Sequence, residues 1–307
     1  MAVTDSPPPA DQGKKPLPPT SNVRTFAPEQ WGQLDRFANL YGNTFEFSAH
    51  EKRAISGAAS HFHKAIIFRS LAESLKPTLS VDEEELQTKG HTPARNSAQL
   101  SAVVEVVFTE LYSSVDCTRK VIAAVYKKCR GLPTDSTRRM FERVRAGGLG
   151  ADFPDALKTA LANARWFDEL RLLRDELTHS SVGQCRLNAD TGSVFYMHSG
   201  IQRLGKPLII DDVFKMIDEL FEGVNGFLGK VFHHLNSLIK DDPILLMCGI
   251  FSNRVYMRRV IPSLVKDVHS GNCDSHRWFD LPGNPRCPLA DICGAYPSGK
   301  RTHQSIP

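Results

Sequence analysis

A single stretch, residues 97–129, constrains the fold of this chain more than any other feature. Its apolar side chains recur at intervals of three and four, which is the spacing of one face of an α-helix. The residues on that face are Leu100, Val103, Val104, Val107, Phe108, Leu111, Val115, Ile122 and Val125. Gly131 and Pro133 follow and are expected to end the helix. The pattern therefore predicts one long helix with a wide buried face.

Shorter helical patterns flank this helix on both sides. They cover residues 28–42, 48–75, 135–148, 153–164, 165–179 and 211–239, and a further short helix is expected near 254–268. The segments 153–164 and 165–179 fit either two helices or one bent helix. In the basic segment 135–148, both Asp135 and Ser136 are suited to cap the helix N-terminus.

Three parts of the chain lack helical periodicity. Residues 76–96 contain the run VDEEE and predict an acidic, exposed loop. Residues 185–200 contain the turn sequence NADTGS. After it, Val194 and Tyr196 alternate with Phe195 and Met197, which predicts a short β-hairpin. The cysteine-bearing C-terminal tail is expected to be irregular. Since no internal repeat and no alternation of strands with helices occurs, we expect an all-α core with one hairpin.

This interpretation divides the chain into four parts. Residues 1–25 hold many prolines and almost no large apolar residues, which predicts a disordered tail. An N-terminal helical extension, 26–96, precedes a central helical bundle, 97–240. A C-terminal extension, 241–307, carries the cysteine-rich tail.

The composition is that of a soluble globular protein with a sizeable core. The chain has 307 residues, of which 41% are hydrophobic and 23% charged, and its net charge of +4 permits a polyanionic partner without requiring one. The longest apolar run tested, 244–251, is far shorter than the about twenty residues that a membrane-spanning helix needs. With no signal-peptide pattern and an odd number of scattered cysteines, we expect a cytoplasmic protein with reduced thiols and no membrane partner.

The stretch RLLRDELTHSSVG, residues 171–183, carries the strongest chemical pattern. Arg174 and His179 lie five residues apart, so a continuous helix would separate them by roughly 140°. The helix is expected to end here, which frees His179 to turn, with Asp175 in place to orient either neighbour. A histidine can take a proton from a ribose hydroxyl, and an arginine can bind the phosphate beside it. The simpler alternative is a solvated helix face that His179 caps.

The residues RDELTH within this stretch resemble the signature of the HEPN superfamily (higher eukaryotes and prokaryotes nucleotide-binding domains). That signature is an arginine, usually followed by a polar residue, with a histidine after four to six intervening residues. Arg174, Asp175 and His179 match it with four. The order of the helices and the sequence LYSSVD on the long helix resemble one bacterial branch of this superfamily. The resemblance covers roughly residues 97–239. Some members carry Tyr two residues after the His, where this chain has Ser181.

The resemblance implies a HEPN-like up-and-down helical bundle and a metal-independent endoribonuclease that cleaves RNA by 2′-hydroxyl attack. His179 is then the general base or acid, Arg174 binds phosphate and Asp175 orients. The two motifs of a homodimer meet at one composite site, and members often act as toxins with a protein antitoxin, or in phage defence. The alternative is a non-catalytic HEPN-like module that binds nucleotide, RNA or a protein. A helical transcriptional regulator is less favoured, because no helix-turn-helix pattern occurs.

Three polar residues of the long helix are candidates to support this site. Glu105, Tyr112 and Asp116 are spaced seven and four apart, which places them on one stripe. They are expected to contact Arg174 or His179, or else to form the ordinary flank of a buried face.

The segment 119–145 is strongly basic, with nine Lys and Arg residues against two acidic ones. Such a cluster can bind an RNA backbone, although a charge run is more often a solvated face. The residues expected to contact RNA are Lys127, Lys128, Arg130, Arg138, Arg139 and Arg143.

The tail contains a candidate structural zinc site. Cys273 and His276 are separated by two residues, and Cys287 and Cys293 follow after a loop. Four such ligands can hold zinc tetrahedrally, so we expect a structural zinc and no cofactor for catalysis. The alternative is a set of free thiols in a poorly ordered tail.

Overall fold

The computed structural model describes residues 30–178, 182–203, 205–251, 254–265, 270–291, 293–297 and 299, so the predicted tail 1–25 lies outside the described residues. The helices are α1 Gln30–Leu40, α2 Ala49–Leu75, α3 Leu79–Lys89, α4 Arg95–Val125, α5 Thr137–Arg145, α6 Asp155–Ala162, α7 Phe167–Leu177, α8 Val213–Asn236 and α9 His276–Phe279. The strands are β1 Gln184–Leu187, β2 Val194–Arg203, β3 Lys206–Ile210, β4 Ile244–Phe251, β5 Arg254–Val260 and β6 Asn272–Cys273.

The predicted long helix is confirmed as α4, and it is the centre of the molecule. Its apolar face is fully buried at Leu100, Val107 and Leu111, and α2, α7 and α8 pack around it. The helix begins without a side-chain cap of its own, after Ala94 in a left-handed conformation. The carboxylate of Asp82 on α3 instead accepts hydrogen bonds from the first amides of α4, so a neighbouring helix satisfies its N-terminus.

The first helix, α1, packs against the last long helix, α8. The rings of Phe37 on α1 and Phe232 on α8 lie 5.5 Å apart, and Asn236 donates a hydrogen bond of 2.8 Å to the carbonyl of Gln33. Arg36 donates 2.6 Å to the carbonyl of Val265, in the segment after β5. Phe37 and Phe232 therefore close one side of the main core, while Val265 packs with Leu40 in a smaller cluster beside it.

Several local predictions are confirmed. The basic helix begins with Ser136 as its N-cap, because the Ser136 hydroxyl accepts from the amide of Arg139. The segment predicted as two helices or one bent helix contains two separate helices in its described part, 153–178, namely α6 and α7. The predicted hairpin is β1–β2, with Cys185 opposite Tyr196, and β3 extends it to a three-stranded antiparallel sheet.

The prediction of an exposed loop at 76–96 is wrong, because residues 79–89 form α3. The only residues that α3 buries are Leu79 and Asp82. A helix with so little apolar contact leaves no period of three and four in the sequence.

The prediction of an all-α core with an irregular tail is also wrong in part. The expected helix near 254–268 is strand β5, which lies between β4 and β6 in a second antiparallel sheet. The inward positions of β5 are Tyr256, Arg258 and Val260, and the buried arginine hides the alternation that would identify a strand. The chain is therefore mostly helical with two small sheets.

The apolar run 244–251 forms the edge strand β4 of that second sheet. Its side chains at Leu245, Met247 and Ile250 are exposed rather than packed in a core. Within the described residues, no helix combines the length and the apolar character that a bilayer crossing requires.

Candidate functional site

The candidate site lies at the C-terminal end of α7. The helix forms because Leu170, Leu173 and Leu177 recur on one side and are buried against the core. It ends after Leu177. The hydroxyl of the next residue, Thr178, donates a hydrogen bond of 3.0 Å to the carbonyl of Arg174. Arg174 therefore lies in the last turn, where a cation is favoured by the helix dipole.

Arg174 is held from two directions while keeping an open face. Its guanidinium lies 4.7 Å from the centre of the Tyr112 ring, and its Nη1 donates 3.0 Å to Oδ1 of Asp175. The side chain remains 40% exposed. Of the three predicted supporting residues, Tyr112 is the one whose side chain contacts Arg174 in the structure. Such a preorganised guanidinium can bind a phosphate with its unused N–H groups.

Asp175 is shared by two arginines. Its Oδ2 accepts 3.0 Å from Arg171, one turn earlier, while Oδ1 binds Arg174. Arg171 was missed as a site residue, although its spacing of four from Asp175 is a recognisable signal in the sequence. The pair of bonds fixes Asp175 as an orienting group for Arg174.

Tyr112 is the floor of the site. Its ring stacks at 6.2 Å on Phe167, which is fully buried at the start of α7. Desolvation raises the pKa of Tyr112, and the charge of Arg174 opposes that rise. The phenol is thus a neutral platform under the guanidinium.

Glu105 anchors the chain beyond the site rather than Arg174. One carboxylate oxygen accepts 2.7 Å from the amide of Gly183 and 2.7 Å from the hydroxyl of Tyr196. His179 lies outside the described residues, and Glu105 binds the amide of Gly183, four residues further along the chain. Tyr196 is fully buried in β2, and no sequence pattern predicts this contact because the partners are 91 residues apart.

Space beside this anchor is tight at Gly183. A Cβ added there would lie 2.4 Å from the hydroxyl oxygen of Tyr196. Burial, followed by the hydrogen bond to Glu105, raises the pKa of Tyr196 well above its usual range. The tyrosine therefore remains a neutral donor to Glu105.

Asp116 does not contact Arg174. It binds Lys120 at 2.8 Å, Arg119 at 3.1 Å and the hydroxyl of Thr137 at 2.5 Å, which joins α4 to the start of α5. Desolvation opposes ionisation, but the bonds from Lys120 and Thr137 and the charge of Arg119 together lower the pKa of Asp116 to about 2.

The predicted RNA-binding residues do not form one bare cationic face. Arg138 pairs with Glu142, and Arg139 pairs with Asp135, while both arginines remain exposed. The bond to Glu142 and its charge raise the pKa of Arg138, and the charge of Asp175 adds a smaller share.

The other predicted RNA-binding residues lie at the ends of the basic segment. Lys127, Lys128 and Arg130 lie in the turn after α4, and Arg143 packs against Gly148.

The predicted zinc ligands lie in the C-terminal sheet region. Cys273 ends β6, His276 begins α9, and Cys287 and Cys293 pack around the same aromatic cluster. His276 Nδ1 lies 2.9 Å from the carbonyl of Cys273. No group of three or more Cys, His, Asp and Glu side chains in the described ranges is already arranged around a metal position.

Comparison with known proteins gave no relative. No protein-family model, curated protein or solved structure matches this chain. The function of this chain is therefore inferred from the geometry at α7 and from the residues of the motif.

Proposed function

We propose that this protein is a metal-independent endoribonuclease of the HEPN type. The observation that carries the proposal is Arg174, a half-exposed guanidinium held by Tyr112 and Asp175 in the last turn of α7, five residues before His179. An ordinary solvated arginine does not need two such restraints, whereas a phosphate-binding arginine gains from being held in one orientation.

The proposed reaction is an attack within the RNA strand. His179 takes the proton of the ribose 2′-hydroxyl, and the 2′-oxygen forms a bond to phosphorus. The bond from phosphorus to the 5′-oxygen breaks, and that oxygen takes a proton from water to leave as a 5′-hydroxyl, while the imidazolium of His179 returns its proton to the solvent. Arg174 binds the nonbridging oxygens and stabilises the charge that develops on them. The products are a 2′,3′-cyclic phosphate and a 5′-hydroxyl end.

The spacing of the two groups favours a homodimer. Arg174 and His179 would point roughly 140° apart if α7 continued, so one chain does not easily aim both at the same phosphate. Two copies related by a two-fold axis can instead place the arginine of one beside the histidine of the other. Arg138 on α5, which is exposed and paired with Glu142, is a candidate to bind RNA through its remaining N–H groups.

The proposal is tested by incubating the full-length protein with total RNA in EDTA. Wild type is compared with His179→Ala and Arg174→Ala, with His63→Ala and Arg165→Ala as matched controls at exposed positions. We expect the first two variants to lose about 10²–10⁴-fold in cleavage rate. The ends should carry cyclic phosphate, and an RNA with 2′-deoxyribose at the cut should stay intact.

Other outcomes have definite meanings. Cleavage of the deoxy substrate, or a strict need for a divalent metal, would contradict the mechanism. RNA or nucleotide binding without cleavage would support the non-catalytic alternative.

The dimer has its own test. Mixing Arg174→Ala with His179→Ala protomers should restore part of the activity, because a heterodimer contains one intact pair. A stable monomer with full activity would refute the shared site. If the protein is a toxin, expression of the wild type but not of His179→Ala should arrest growth, and a neighbouring antitoxin protein should relieve it.

A further inference from the structure

Four cysteines of the C-terminal region lie close together, although they are far apart in the sequence. They are Cys248 on β4, Cys273 on β6, and Cys287 and Cys293 in the segment after α9. Cys287 and Cys293 pack against the buried cluster that contains Cys273, and Cys248 lies within electrostatic range of all three. This set differs from the one expected from spacing, because Cys248 joins it.

The sulfurs of Cys273 and Cys287 carry the same pattern of backbone donors. The amides two and three residues further on, Ser275 and His276, donate to the sulfur of Cys273. The amides of Leu289 and Ala290 do the same for Cys287. Paired N–H groups aimed at one sulfur orient it, as outer hydrogen bonds do for metal ligands.

Cys248 reaches the group through an irregularity in β4. The register with β5 pairs Met247 with Met257 and then Gly249 with Tyr256, so Cys248 is an extra residue without a partner. A bulge of this kind redirects a side chain out of the regular alternation of a strand.

The apolar core of the same region is small. Its buried cluster contains Tyr256, Cys273, Phe279 and Tyr296, with Cys287 and Cys293 packed against them. Beyond the single turn of α9, the segment 280–291 consists of turns and irregular backbone. A bond that joins β4, β6 and this segment would stabilise a region with a small apolar core.

We propose that Cys248, Cys273, Cys287 and Cys293 form a four-thiolate structural zinc site. Four sulfur ligands favour zinc in tetrahedral geometry and leave no position for a substrate. Binding releases the thiol protons and requires the four side chains to close on one centre, since they are not yet arranged around a metal. His276 then acts as a positioning residue, because its Nδ1 holds the carbonyl of Cys273.

The experiment is metal analysis of the full-length protein after desalting. We expect about one equivalent of zinc per chain, falling below about a tenth in Cys248→Ser and Cys287→Ser. Cys129→Ser is the matched control. The Cys129 thiol donates to the carbonyl of Asp152, outside the proposed site, and a serine hydroxyl can make the same bond. His276→Asn should retain the metal, because an amide nitrogen can replace Nδ1.

A second measurement covers variants that fail to fold. Differential alkylation of the wild type should show the four cysteines protected before chelation and reactive after it, with Cys129 unchanged. Full zinc in Cys248→Ser, or loss of zinc in His276→Asn equal to that in Cys287→Ser, would overturn the ligand set. So would less than about a tenth of an equivalent in the wild type, or a disulfide between any two of the four.

Discussion

Replacing Glu105 by alanine should destabilise the protein more than any other single change at the candidate site. One carboxylate oxygen serves two donors, the amide of Gly183 and the hydroxyl of the buried Tyr196, each at 2.7 Å. A hydrogen bond to a charged group contributes about 1.5–3 kcal/mol, and both donors lose their acceptor at once. We expect Glu105→Ala to lower the free energy of unfolding by about 3–4 kcal/mol.

Two related variants separate charge from hydrogen bonding. Glu105→Gln keeps an oxygen acceptor and should cost only about 1 kcal/mol, while Tyr196→Phe removes one donor and should cost about 1–2 kcal/mol. Because Glu105 and Tyr196 share a hydrogen bond, the double variant Glu105→Ala/Tyr196→Phe should lose less free energy of unfolding than the two single variants lose in sum.

The assay is urea denaturation of the full-length chain, followed by far-ultraviolet circular dichroism. Glu84→Ala, on the exposed side of α3, is the control and should stay within about 0.5 kcal/mol of the wild type. A cost below about 1 kcal/mol for Glu105→Ala, or one no larger than that of Glu105→Gln, would contradict a stabilising role for these two hydrogen bonds.

Three further predictions concern α4 and its neighbours. The lowered pKa of Asp116, about 2 against 3.8, contributes about 2 kcal/mol that is present above pH 3.8 and lost as the pH falls through 2, so acid titration of Asp116→Asn should lack this loss. Tyr112→Leu removes the ring under Arg174 and should slow RNA cleavage roughly two- to fivefold, while Tyr112→Phe should keep the rate, in steady-state assays. Gly223→Ala would bring a Cβ within 2.4 Å of Trp166, so it should cost about 1–3 kcal/mol in urea denaturation and alter tryptophan fluorescence.

The helical bundle could be predicted because its helices bury regular stripes. The spacing of Leu100, Val107 and Leu111 identifies α4, and the turn sequence before Val194 identifies the hairpin. The second sheet could not be found this way. Its strand β4 exposes Leu245 and Met247, so burial leaves no alternation in that apolar run.

The candidate site was predictable only where its contacts are local. Arg174 and Asp175 are adjacent, and Arg171 is one turn away, so spacing alone brings them together. The contact of Glu105 with Tyr196 depends on the hairpin packing against α4, which no local pattern encodes. The same holds for Cys248, which reaches the other cysteines only through the pairing of three strands.

The packing of α1 against α8 has a consequence for synthesis on the ribosome. Val213, where α8 begins, is added 173 residues after Leu40, where α1 ends. At about 5–20 residues per second, α1 waits roughly 9–35 s for the surface that covers Phe37. During that interval α2 and α4 can already pair, while one side of the core stays open. The nascent chain is therefore most exposed to chaperones and proteases just before α8 emerges, and completion of the last long helix is the step that closes the fold.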